Sequence, residues 1–144
     1  MSFLNSMSIS ASALTATRLR MDVIAENMAN ADTTRTEHGD PYRRKYVVFQ
    51  ERKNDRDFAT FFNRARKAPG GVRVLHIGRD PSEFKLDYNP THPDADEDGY
   101  VRLPNVEVVQ EMVDMMSAVR AYEANITALN AFKDMAVKTL EIGK

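Results

Sequence analysis

An α+β fold, in which long N- and C-terminal helices form a coiled-coil-like pair around a small β-rich insert, is predicted by three features of the 144-residue chain. A stretch free of proline and glycine runs from Ser8 to Ala29, a longer one follows Pro104, and between them the apolar period shortens to the alternation of strands. The expected division is an N-terminal helix over 1–34, a central insert over 35–104 and a C-terminal helix over 105–144.

In the first helix Leu14, Met21 and Met28 recur every seven residues, with Thr17 and Ile24 on the adjacent row, which gives one apolar stripe. Its expected stop is Asn30-Ala31-Asp32-Thr33-Thr34, where short polar side chains compete for backbone hydrogen bonds.

The strands come next. Tyr46-Val47-Val48-Phe49, Val72 to Ile77, and the alternating Phe84, Leu86 and Tyr88 read as strands, and Tyr100 to Leu103 after Asp98-Gly99 as a fourth. Gly70-Gly71 reads as a hairpin turn. Residues 51–69 carry Phe58, Phe61 and Phe62 among charges and fit either a short helix or an irregular arm.

The second helix is expected to open after Pro104 with Asn105 as N-cap and Glu107 complementing the helix dipole, and to close near Gly143. A three-four alternation runs through Met112, Met115, Val119, Tyr122, Ile126, Leu129, Lys133, Ala136 and Leu140, broken only by Lys133. Alanines at 118, 121, 124, 128 and 131 widen the face. At ~1.5 Å per residue such a helix reaches roughly 55 Å, and the two helices together carry more apolar surface than a small insert covers. Partner chains are therefore expected to cover the rest, and the two ends to become ordered on assembly.

Composition narrows the function. Twenty basic and 21 acidic residues leave a net charge of −1, which gives no footprint for nucleic acid. No cysteine is present for a disulfide or a thiolate site. No apolar run is long enough for a membrane span, and the first 30 residues lack the apolar core of a cleavable signal.

Asp94-Ala95-Asp96-Glu97-Asp98-Gly99 matches the first half of an EF-hand loop, but the twelfth position is Asn105 instead of a bidentate glutamate. A calcium-modulated binding module built on 94–99 is the alternative reading, and a hydrolase using His92, Asp94 and Asp96 a weaker one. His38, His76 and His92 lie in separate segments without metal-site spacing. Arg43-Arg44-Lys45 and Arg64-Ala65-Arg66-Lys67 read as solvated basic faces. No serine sits in a nucleophile elbow and no glycine-rich phosphate loop is present, so no catalytic site, cofactor or metal is implied.

Two segments carry a family resemblance. Glu26 through Thr34, with Asn27 and Asn30, resembles the asparagine-rich signature near the start of bacterial flagellar axial proteins, and Arg120 through Asn125, with Tyr122, resembles their C-terminal signature. Pro41-Tyr42-Arg43-Arg44, Val47 to Gln50, and the run from Tyr88 to Val106 are similar to the proximal basal-body rod proteins of that family. The resemblance covers roughly 1–50 and 70–144; Ala13 and Met28 stand where it would place a glycine and a branched aliphatic.

The resemblance implies a non-enzymatic subunit of the proximal rod, carrying torque from motor to hook. It implies export by the flagellar type III apparatus without a cleaved signal, and assembly in the periplasm with copies of itself, sister rod proteins and the base adaptor. The expected assembly interface is Leu14, Met21, Ile24 and Met28 on the first helix, with Met112, Met115, Val119, Tyr122, Ile126, Leu129, Ala136 and Leu140 on the second.

Overall fold

The structure is a computed structural model that describes residues 3–37, 39–52 and 70–142. Helix α1 spans Phe3–Ala29, strands β1 to β4 span Lys45–Glu51, Val72–Arg79, Lys85–Tyr88 and Tyr100–Leu103, and helix α2 spans Val108–Ile142. The expected α+β order of two long terminal helices around a small strand insert is what the chain adopts. His38, most of the 51–69 arm including Phe58, Phe61 and Phe62, the 64–67 basic cluster and Gly143 lie outside the described residues.

Helix α1 begins at Phe3, earlier than its apolar stripe. Ser10 and Ser12 reduce intrinsic propensity only slightly, and neither proline nor glycine intervenes. It ends where the sequence predicted: the Asn30 N–H closes the last helical bond to the Glu26 carbonyl at 3.1 Å, the Asn30 side-chain Nδ2 competes for the same carbonyl at 2.9 Å, and Ala31 and Thr33 then bond three residues back, to Met28 and Asn30, as a turn. Helix α2 begins three residues later than Asn105, which does not act as its N-cap; the Asn105 side chain is engaged elsewhere. Glu107 stands just before the first turn and pairs at 3.7 Å with Lys85.

The strands form two separate antiparallel pairs. In the first, Lys45 faces Arg79 and Glu51 faces Val72, with an irregularity between Val48 and Phe49. In the second, Lys85 faces Leu103 and Tyr88 faces Tyr100, their rings edge to face at 5.3 Å. Gly99 takes φ +82°, as the Asp98-Gly99 turn requires, and a side chain there would press on Tyr88 and Pro90. Gly71 differs from the expected tight hairpin turn. The β1–β2 connection is long, and Gly71, at φ +97°, instead lets β2 lie against α1, since a Cβ would collide with Ser12. Ser12 Oγ accepts the Val72 N–H at 3.0 Å and donates to the Ile9 carbonyl at 2.7 Å, which ties the sheet to the helix.

Helix α1 runs antiparallel to α2, since Asn27 near its end meets Glu111 near the start of α2. At ~1.5 Å per residue the helices are roughly 40 and 52 Å long, so α2 extends past the start of α1. The core is small and sits at the opposite end, where Val23, Ile24, Tyr42, Val101, Val106 and Ala118 are buried.

Candidate functional site: a buried polar joint and an open apolar stem

The end of α1, the segment before β1 and the first turns of α2 converge on three polar side chains. Asn27 is 1% exposed and uses all its capacity: Oδ1 accepts from Tyr42 Oη and Lys45 N, both at 2.9 Å, while Nδ2 donates to the Lys45 carbonyl at 2.8 Å and Glu111 Oε2 at 3.1 Å. Glu111, fully buried, receives Arg44 Nε at 2.6 Å on its other oxygen. The same guanidinium reaches Asp80 at 3.6 Å and Asp114 at 3.5 Å. Asn105 closes the ring, accepting the Arg44 N–H at 2.8 Å and donating to Ser82 Oγ at 2.7 Å. Arg43 donates to the carbonyls of Asp80 and Ser82 at 2.9 Å and lies 4.4 Å over the Phe84 ring.

Titration of these groups follows their surroundings. Burial, followed by the charges of Glu26 and Glu111, pushes the Tyr42 phenol up to about 12. Burial works against the Arg44 charge, but the hydrogen bond to Glu111 and the carboxylates of Glu111, Asp80 and Asp114 hold its pKa above the ordinary value. The backbone and hydroxyl of Ser82, and then Arg44, lower that of Asp80. Among the described residues no buried side-chain nitrogen or oxygen lacks a partner. An arrangement this satisfied fixes elements in place and offers no free nucleophile or base.

This joint corrects one expectation. Arg43, Arg44 and Lys45 are not a solvated basic face but are half-buried and bonded, Lys45 to Glu26 at 2.5 Å. Sequence reasoning singled out Asn27 by resemblance and missed its side-chain partners Tyr42 and Glu111, and Arg44 and Asn105, which bond Glu111 and the Arg44 backbone in turn. The one local signal was Glu111 itself, a charge one turn before Met115 on the row that continues through Ala118 and Tyr122.

Beside the joint, a groove of about 180 Å³ is lined by Val23, Ile24, Val47 and Phe49 together with Arg20, Glu111 and Asp114. The acidic loop is held by the chain's own groups: Asp94 accepts Thr34 Oγ1 at 2.8 Å and pairs with Arg35 at 3.7 Å, and Asp96 reaches Arg102 at 4.0 Å. His92 Nδ1 accepts the Asp94 N–H, and His76 is exposed on β2. No group of three metal-ligating side chains forms among the described residues, and no helix there is long and apolar enough to cross a membrane.

The expected interface residues divide between two surfaces. On α1, Ile24 is buried inside the chain and Leu14, Met21 and Met28 are half-buried. On α2, Met115, Tyr122, Leu129 and Ala136 are half-buried on the row that includes the buried Glu111 and Ala118, whereas Met112, Val119, Ile126 and Leu140 are exposed. With Val109 and Met116 the first three form an exposed apolar row interrupted by Glu123, and beyond the exposed Asn130 and Lys133 on the same row Val137 joins Leu140; Met116 is 55% and Leu140 76% exposed. Asn125, of the C-terminal signature, donates to the Ala121 carbonyl at 2.8 Å within its own helix.

Comparison with known proteins agrees at both ends and over the whole length. Residues 7–35 match the family described as flagella basal body rod protein, and residues 97–142 the flagellar basal body rod FlgEFG protein C-terminal family. The flagellar basal-body rod protein FlgC of Bacillus subtilis (strain 168) is 49% identical, with all of both chains covered. Its namesake in Salmonella typhimurium is 46% identical, again with full coverage of both, and that of Aquifex aeolicus 42%, covering 100% of this chain and 99% of the relative.

Proposed function

Because the chain belongs to the flagellar basal-body rod protein FlgC family, whose members are structural proteins and not enzymes, we propose that it is a subunit of the proximal rod and carries torque from motor to hook. The observation that carries the reading is the exposed apolar row of α2, Val109, Met112, Met116, Val119 and Ile126 with Val137 and Leu140 beyond a polar gap, which the chain's own helix pair leaves open. Met112, Val119, Ile126 and Leu140 are its contact residues toward neighbouring subunits. Leu14, Met21, Ile24, Met28, Met115, Tyr122, Leu129 and Ala136 support assembly by holding the two helices together, and the half-buried ones by lining its margins. The neighbours are copies of the same chain, sister rod proteins and the base adaptor.

The chain reaches the periplasm through the flagellar type III apparatus, without a cleaved signal. Its helices order fully on assembly, and the strand pairs stand on the outside of the rod. Densely packed, long helices suit a shaft under torsion, because such interiors are little compressible.

Electron microscopy of basal bodies from a strain deleted for the gene, beside the complemented strain, tests the reading. Rings without a rod, restored on complementation, are expected; intact rods and normal swimming in the deletion strain overturn it.

A further inference from the structure

Methionine carries all the sulfur of this chain, which has eight methionines and no cysteine. Their side chains are sheltered unequally. Met7, Met21, Met28 and Met115 are half-buried, whereas Met112, Met116 and Met135 are 44%, 55% and 51% exposed. Among the described residues the three exposed ones all lie on α2, and Met112 and Met116 stand one helical turn apart on its exposed apolar row. Met115, although adjacent to Met116 in sequence, lies on the row of the buried Glu111 and Ala118.

An exposed thioether is open to peroxides. Its sulfur lone pair attacks one oxygen of hydrogen peroxide, an S–O bond forms as the O–O bond breaks, and the proton of the attacked hydroxyl passes to the departing one, which leaves as water. Sulfur gives up two electrons, the peroxide takes them, and methionine sulfoxide results. The side chain has then gained a strong hydrogen-bond acceptor and no donor. In water that oxygen is hydrated; enclosed against an apolar neighbour it needs a donor, and without one the contact weakens roughly five- to a hundredfold. One turn from Met112 stand Val108, Val109, Met115 and Met116, none with a side-chain donor, whereas the exposed Arg120 stands one turn beyond Met116. Met116 is thus the readier target, and Met112 the one whose oxidation costs more.

We propose that Met112 and Met116 are oxidation sites that control assembly: peroxides convert the free subunit to a sulfoxide form that its neighbours do not accept, while a subunit already in place shields the same sulfurs. The inference rests on the rod-subunit reading, under which the exposed row of α2 is an assembly contact, and adds a regulation of that contact. Methionine suits the row on both counts, since its unbranched thioether adapts to a neighbour's surface while reduced and turns polar at one atom when oxidised. Enzymes that reduce methionine sulfoxide reverse the change, so a rejected subunit is recoverable.

Two measurements test it. The purified full-length chain is treated with graded hydrogen peroxide and its peptides are analysed by mass spectrometry. Sulfoxide at Met112 and Met116 should appear at lower doses than at Met21, Met28 and Met115, and equal rates at the adjacent Met115 and Met116 overturn the proposal. In the deletion strain, differently tagged parent and Met112→Leu chains are then co-expressed and given peroxide during rod assembly, at a dose that oxidises Met112 in half of the unassembled parent chain. Relative to untreated cells, the parent's share of the chain in basal bodies should fall in proportion to that oxidised fraction; an unchanged share overturns the proposal. The parent chain also reports without any substitution, because Met112 sulfoxide should be depleted in its assembled copies compared with its unassembled copies from the same cells, and equal levels overturn the proposal. Absence of the parent chain from untreated basal bodies would instead overturn the rod reading itself.

Discussion

At the base of the stem, where α1 ends and α2 begins, Asn27, Arg44 and Glu111 bury polar groups that are satisfied by one another; at the far end of α2, Val137 and Leu140 leave apolar groups in solvent. A globular domain usually does the reverse at both places. Buried hydrogen-bonded charge costs more to desolvate than apolar packing but tolerates few alternative geometries, so the base is specified by direction as well as by fit. Val137 and Leu140, exposed as they are, gain little fixed geometry from the chain's own packing. Under the proposed function the lesson is a division of labour: one end of the stem holds the subunit together, and the other is the end offered to neighbours.

The largest effect that could break this comparison is at Glu111. Glu111→Ala leaves Arg44 without its closest carboxylate and Asn27 with an unused donor, and loss of one partner of a buried pair costs about 3–5 kcal/mol. Urea unfolding followed by circular dichroism should show that loss. A change below ~1 kcal/mol would mean that the joint is decoration and that the apolar core alone holds the base. Ile24→Ala, in the core beside the joint, should follow with about 2–5 kcal/mol by cavity formation, and Met116→Ala on the open stripe with less than ~0.5. Comparable losses at Ile24 and Met116 would erase the distinction.

Hydrogen exchange sharpens the same contrast along a single helix. Amides near Glu111 to Ala118 lie in the best-packed part of α2 and should exchange slowest, with protection falling toward Leu140 in the dilute monomer. Assembly should raise protection most at the far end. Uniform protection of α2 in the monomer would show that the distal half needs no neighbour.

Much of the fold was legible because its periods are local. The strands announced themselves by alternation at Val72–Ile77 and Phe84–Tyr88, and α1 stopped at the polar residues that predicted its stop. The joint was not legible, because its bonds are distant: Asn27 and Glu111 lie 84 positions apart, and a buried asparagine looks in sequence like a polar surface residue. The seam of α2 was read as a single stripe through Met112, Met115, Val119 and Tyr122. The structure turns alternate members to different sides, because α1 covers only one flank of a wide face. Gly71 read as a turn residue for the same reason, since its contact with Ser12 comes from a helix 59 positions away.

pH separates the two ends with a smaller effect. Near neutrality the Tyr42 phenol is protonated in both folded and unfolded chains. Between its ordinary value of 10.0 and about 12 the unfolded chain ionises first, so stability should fall as pH rises through that window. Asp80 acts on the acid side, where its lowered pKa gives stability that is lost as pH falls below the ordinary carboxylate value of 3.8. Both groups belong to the base of the stem. Absorbance titration should therefore find one of the five tyrosines ionising late, near 12, and Tyr42→Phe should remove that late step. If the late step persists in Tyr42→Phe, the hydroxyl is not buried as the hydrogen bond to Asn27 requires.

The smallest effect on the isolated chain is expected where the effect on function is large. Leu140→Ser removes an exposed apolar side chain near the end of α2, and the monomer's unfolding midpoint should move by no more than ~0.5 kcal/mol equivalent. In the rod the same position would be enclosed by a neighbour, and a polar group there would lack a partner at a cost of about 1–3 kcal/mol per contact. Because every subunit carries the substitution, the penalty recurs around the rod, and basal bodies should retain markedly less of the chain while the purified monomer remains unchanged. Equal incorporation of Leu140→Ser and the parent chain would locate the assembly contacts nearer the joint, along Val109 to Val119, and leave the last turns of α2 free even in the rod.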